Sequence, residues 1–136
     1  MAWWSKNTRR STGDRAHQEA LLPLAELNAA GTARLKADRP ELAVDLFVEA
    51  LAGCREQLGA AHADTLTVAG NLGVALVQAG RWQEGIDVLE GNHAARIRAL
   101  GDDDPRTLTA GDALATAYRL AGRAEEIGRA SCRERV

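Results

Sequence analysis

Apolar residues return along most of this chain at three- and four-residue intervals with polar residues between them, the pattern of helices that bury one face. Leu42, Phe47, Val48 and Leu51 keep that spacing, as do Ile86, Leu89 and, more weakly, Ala94. Leu66, Leu72 and Leu76, then Leu108, Leu114 and Tyr118, mark two further helices. Runs of β-branched residues, which strands favour, are scarce. The pattern predicts an all-α chain.

The helices come in repeats. Displaced by 42 residues, the sequence matches itself at 11 of the 27 positions from Leu58 to Glu84, with no gap. Leu58-Gly59 meets Leu100-Gly101, Thr65-Leu66-Thr67 meets Thr107-Leu108-Thr109, and Ala79-Gly80-Arg81 meets Ala121-Gly122-Arg123. Leu72, Ala75 and Glu84 meet Leu114, Ala117 and Glu126. The register persists more weakly upstream, where Gly31 falls opposite Gly73, Arg39 opposite Arg81 and Phe47 opposite Leu89. Three repeats are therefore predicted, over about residues 18–59, 63–101 and 105–126, the third truncated.

Punctuation splits each repeat into two antiparallel helices. Gly80 suits the left-handed conformation that ends a helix, and a new helix follows at once through Trp82. The matching corner of the first repeat reads Asp38-Arg39-Pro40, with proline fit for a first helical turn. The longer corner from Leu100 to Thr107 carries a glycine stop, three aspartates near a helix N-terminus, and Pro105. Gly31, Gly73 and Ala115 are small enough to let helices approach closely. Gly53 and Gly91 are expected to weaken their helices by about 1 kcal/mol each relative to alanine.

Leu58-Gly59, His62-Ala63 and Thr65-Leu66, then Leu100-Gly101, Asp104-Pro105 and Thr107-Leu108, resemble the linker of tetratricopeptide repeats of the 42-residue variety found in kinesin light chains and many bacterial proteins. Asn71-Leu72-Gly73 with Leu76, and Leu114-Ala115 with Tyr118, resemble that family's first helix; Ala43, Phe47 and Ala50 resemble its second. The resemblance covers about residues 18–126. Arg34, Gly85 and Asn92 depart from it, standing where a large apolar residue and small alanines are usual. It implies a right-handed α-solenoid of about two and a half repeats, whose first helices line a concave surface for a peptide or partner domain. The implied partner-binding positions are Asn28, Thr32 and Lys36, then Asn71, Val74 and Gln78, then Asp112, Thr116 and Arg119. Asn71 leads this set, since an amide can both donate to and accept from an extended backbone.

The flanks read differently. Residues 1–15, with Trp3, Trp4 and a basic stretch, read as a disordered leader. After Glu126 the apolar periodicity stops. Ile127 to Val136 read like the conceptual translation of a common short-read sequencing adapter, so residues 127–136 are expected to be non-native. These ten residues carry three arginines, one glutamate and Cys132; without them the net charge falls from −2 to −4. The truncated third repeat then exposes Leu114, Tyr118 and Leu120, an apolar face expected to leave the chain self-associated or partly unfolded.

Composition narrows function by exclusion. A net charge of −2 does not suit a nucleic-acid binder, and no apolar run reaches the ~20 residues a membrane span needs. His17, His62 and His93 lack metal-ligand spacing, Asp102-Asp103-Asp104 lacks the spaced ligands of a calcium loop, and no phosphate-binding glycine motif is present. Cys54 and Cys132 form no CxxC or Cys/His pair, and Cys54 reads as a small packing residue. A non-enzymatic, cytoplasmic interaction scaffold without cofactors is expected. The alternative is the sensor portion of a larger signalling ATPase or transcription regulator. Sequencing the gene across codons 127–136 tests the tail: the adapter reading requires ATC-GGA-AGA-GCG-TCG-TGT-AGG-GAA-AGA-GTG, and different codons refute it.

Overall fold

The computed structural model describes the backbone from Thr12 to Glu134 and side chains from Glu19 to Arg123. Among these residues it contains five helices and no strand: α1 (Thr12–Lys36), α2 (Pro40–Leu58), α3 (Ala63–Gln78), α4 (Trp82–Leu100) and α5 (Pro105–Glu134). Of the expected leader, Trp3 and Trp4 lie outside the described residues, while residues 12–15 already belong to α1. The side chains of the tail, Cys132 included, also lie outside them.

The corners repeat in geometry as they do in sequence. Gly80 turns with φ +83°, and Asp38, one repeat earlier, with φ +60°. Both corners close with the same bonds. The Asp38 and Gly80 amides donate to the Leu35 and Val77 carbonyls, and the Arg39 and Arg81 amides to those of Arg34 and Leu76. Aspartate tolerates the left-handed region less freely than glycine, but better than most residues. The longer corners turn at Gly59 and Gly101, with φ +90° and +89°. Beyond them, His62 Nδ1 accepts the Asp64 amide at 3.1 Å, and Asp104 Oδ1 accepts the Arg106 amide at 2.9 Å. Such caps satisfy backbone donors that the first turn of a helix leaves free. The Thr65 hydroxyl donates to the Cys54 carbonyl and the Thr107 hydroxyl to that of Arg96, both at 3.4 Å. Each thereby ties the start of one repeat to the end of the last.

Helix α3 is the centre of the array. It packs on α2 and α4 and also touches α1 and α5, whereas no comparable contact joins α2 to α4. The first helices thus lie closer together than the second, which makes their side the inner face. Leu21, Leu24, Phe47, Leu51, Val68, Leu72 and Leu76 form one core with Cys54, and Val77, Ile86, Leu89 and Ala117 form the next. Phe47 is wholly buried, a burial worth roughly 2–3 kcal/mol. Its ring takes the space beside Gly31, where a Cβ would stand 2.5 Å from it.

Several expectations give way to packing. Leu42 and Val48 are about half exposed; Ala43, Val44, Phe47, Ala50, Leu51 and Cys54 form the buried face of α2. Arg34 lies in solvent, because no described helix precedes α1 to cover the column that Leu76 fills in α3. Leu108 is 56% exposed although Leu66, its repeat counterpart, is 5% exposed: α4 lies against Leu66, and nothing described lies so against Leu108. Ala115 is exposed and mediates no close approach. Gly53 is a contact, since Leu24 fills the space a side chain there would need. Leu114 and Leu120 pack against the second core, leaving Tyr118 half exposed with its hydroxyl donating to Glu90. The exposed apolar face is therefore smaller than the sequence implies. No corner forms at Gly122, and α5 continues to Glu134. With no apolar face in residues 127–134 to fold back, continuing the i→i−4 ladder is the better way to satisfy the backbone.

Two glycines of α4 should respond in opposite senses to alanine. A Cβ at Gly85 would stand 2.6 Å from Val77 Cγ2 and 3.0 Å from the Gly73 carbonyl oxygen, whereas Gly91 faces open space. Urea unfolding should show Gly85→Ala less stable by about 1–3 kcal/mol and Gly91→Ala more stable by about 1 kcal/mol. Cys54 gives another expectation. Burial first, and then the charge of Asp64, push its thiol up to about 11. At pH 8 a Cys132→Ser protein should react with Ellman's reagent only as fast as it unfolds; prompt reaction of one native thiol would contradict this packing.

Candidate functional site

The inner face carries a stripe of polar side chains presented by α1, α3 and α5. Asn28 and Asn71 meet there, Asn71 Nδ2 donating to Asn28 Oδ1 at 3.0 Å. Both are partly buried, and the bond joins the first two repeats on the inner face. Asn71 keeps its amide oxygen for another donor. Thr32 is partly buried and Thr116 exposed; their hydroxyls donate to the carbonyls of Asn28 and Asp112, four residues back, at 3.0 and 2.9 Å. Arg119 Nη2 donates to the Thr116 hydroxyl at 3.1 Å. Val74 packs partly into the second core, while Lys36, Gln78, Asp112 and Arg119 project into solvent.

Sequence position and spatial register differ within this set. Thr32, Val74 and Thr116 are related by the 42-residue period, as are Lys36 and Gln78. Asn28, however, falls opposite Gly70 and Asp112, not opposite Asn71. Asn28 and Asn71 come together across the α1–α3 contact from different columns of the repeat.

The polar centre of the α3–α5 side was not anticipated. A cleft of about 290 Å³ opens there, walled by Asn71 and Gly70 of α3 and by Arg106 and Thr109 of α5, with Asn92 and Arg96 of α4 as its floor. Asn92 is 4% exposed and donates through Nδ2 to the Leu66 carbonyl at 2.6 Å. Arg96 is 9% exposed and donates through Nη1 to the Arg106 carbonyl at 2.7 Å. Burial, followed by the neighbouring charge of Arg106, lowers the Arg96 pKa, but an arginine stays charged. Asp104 is held below the usual carboxylate range, first by the hydrogen bond from the Arg106 side chain. A signal for this floor existed in the repeat columns: Asn92 and Arg96 stand opposite Ala50 and Cys54, which are buried and apolar.

Among the described residues, no three of His, Cys, Asp and Glu gather to hold a metal ion, and no helix is long and apolar enough to cross a membrane. A comparison with curated proteins finds no match. The tetratricopeptide repeat family pattern matches residues 22–90 and again 70–127, two overlapping stretches that together run from within α1 to within α5. With paired helices, recurring corners and this match over most of its length, the chain belongs to the tetratricopeptide repeat family.

Proposed function

We propose that this protein is an interaction scaffold of the 42-residue, kinesin-light-chain-like type that holds an extended segment of a partner polypeptide along its inner face. Tetratricopeptide repeats generally mediate protein–protein interactions, and the fold is generally a non-catalytic scaffold. The observation that carries the reading is the partly buried Asn71–Asn28 pair, at the point where α1 and α3 meet on the inner face. Around it, Thr32, Lys36, Val74 and Gln78 extend the surface on the first two repeats, and Asp112, Thr116 and Arg119 on the third. The recurring Gly59 and Gly101 corners and the Thr65 and Thr107 bonds support the 42-residue type.

Selection of a displayed random heptapeptide library on the full chain tests this proposal. Selected peptides should bind Asn71→Ala about tenfold more weakly, as expected for losing roughly 1.4 kcal/mol of hydrogen bonding to the ligand and its anchor. Val48→Ser, on the solvent side of α2, should leave affinity unchanged. Peptides that lose affinity with Val48→Ser but not with Asn71→Ala would place binding elsewhere.

A further inference from the structure

The cleft between α3 and α5 holds a cation without a matching anion among the described residues. Arg96 Nε is buried and has no hydrogen-bond partner, while Nη1 is spent on the Arg106 carbonyl. Nη2 faces the gap beside Gly70, where a Cβ would stand 3.9 Å from it and 3.3 Å from Asn92 Oδ1. Among the described residues, no carboxylate lines the cleft. Asp104, the nearby acid that favours the charged form of Arg96, has both oxygens on Arg106, at 3.0 and 3.1 Å.

Burying a charge costs free energy unless a partner of opposite sign compensates it. The repeat itself does not require this charge. One repeat earlier the same columns hold Ala50 and Cys54, both fully buried, and pack without it. The column of Gly70 holds Asn28 in the first repeat and Asp112 in the third, so the missing side chain at 70 is what opens the gap. Nη2 is the donor that the guanidinium turns to this gap, and a charged N–H donor of this kind bonds a carboxylate strongly.

We propose that this cleft is an anchor site for an aspartate or glutamate side chain of the bound polypeptide, received by Arg96 through Nη2. The proposal rests on the inner-face reading above and adds the chemistry its ligand must carry. Asn71 links the two, since it lies on the inner face and also lines the cleft.

The test uses two synthetic peptides, acetyl-Ala-Ala-Glu-Ala-Ala-amide and its glutamine counterpart, titrated into the isotope-labelled full chain and followed by NMR. The glutamate peptide should shift the Arg96 Nε–H and the Asn71 and Asn92 side-chain amide signals, with an affinity about tenfold above that of the glutamine peptide. Arg96→Gln should abolish the difference, and Arg98→Gln, which removes an exposed charge from the same helix, should keep it. Because Arg96 also fastens the start of α5, a second pair of variants leaves that residue in place. Gly70→Asp supplies the carboxylate internally, so it should melt about 3 °C above Gly70→Asn and lose the preference for the glutamate peptide. Equal shifts by both peptides at Asn71 would overturn the carboxylate anchor while leaving the inner-face reading intact. Shifts confined to the outer faces of α2 and α4 would overturn both. Inorganic phosphate that displaces the glutamate peptide at equal concentration would mark a general anion site and overturn the assignment to a peptide side chain.

Discussion

Helix α3 has neighbours on both sides and along the inner face, and the rest of the array depends on how it satisfies them together. It buries Leu66, Val68, Leu72, Ala75, Leu76 and Val77 between two cores. Contact with α4 is close because two glycines face each other: a side chain at Gly85 would run into the Gly73 backbone, and one at Gly73 into Leu89. An amphipathic helix pair cannot bury its apolar surface alone, so stability in such an array comes from neighbouring pairs. Helices with a neighbour on only one side show the consequence. Arg34 and Leu108 lie in solvent in columns that α3 buries as Leu76 and Leu66.

The junctions between repeats are fixed by polar groups at the ends of helices. A threonine hydroxyl at each long corner reaches back to the last turn of the preceding helix, and an imidazole or carboxylate caps the new helix. These short-range bonds set where each pair starts, and apolar packing then sets how closely it lies. The second junction adds Arg96, which fastens the Arg106 carbonyl to α4. That bond orients the guanidinium, so the same interaction that orders the junction also leaves Nη2 beside the gap at Gly70.

Much of the architecture was legible in the sequence because the repeat is a local code. Leu58-Gly59, Thr65-Leu66 and Ala79-Gly80-Arg81 recur 42 residues on, and corners at Asp38, Gly59, Gly80 and Gly101 turn where that pattern places them. Glycine and proline act through backbone conformation, which needs no distant partner. Ala121-Gly122-Arg123 matches that code without forming a corner, because a corner also needs a following apolar helix to fold back. The code misled at Leu42 and Val48, since apolar spacing alone does not say which side of α2 meets a neighbour. Within the candidate site, the residues from Asn28 to Arg119 were those that the family resemblance implied. The contact between Asn28 and Asn71 was not implied, because they occupy different columns of the repeat.

Asn92 and Arg96 mark the division most clearly. By itself the sequence determined helix pairs, their period and their corners, since these arise from backbone preferences and periodic burial. It also showed that Asn92 departs from the small residues usual in its column. Only the tertiary structure decided that Asn92 would satisfy the Leu66 carbonyl and that Arg96 would be enclosed beside Gly70. Burial and hydrogen-bond satisfaction belong to the space between helices, and that space exists only once α3, α4 and α5 have packed.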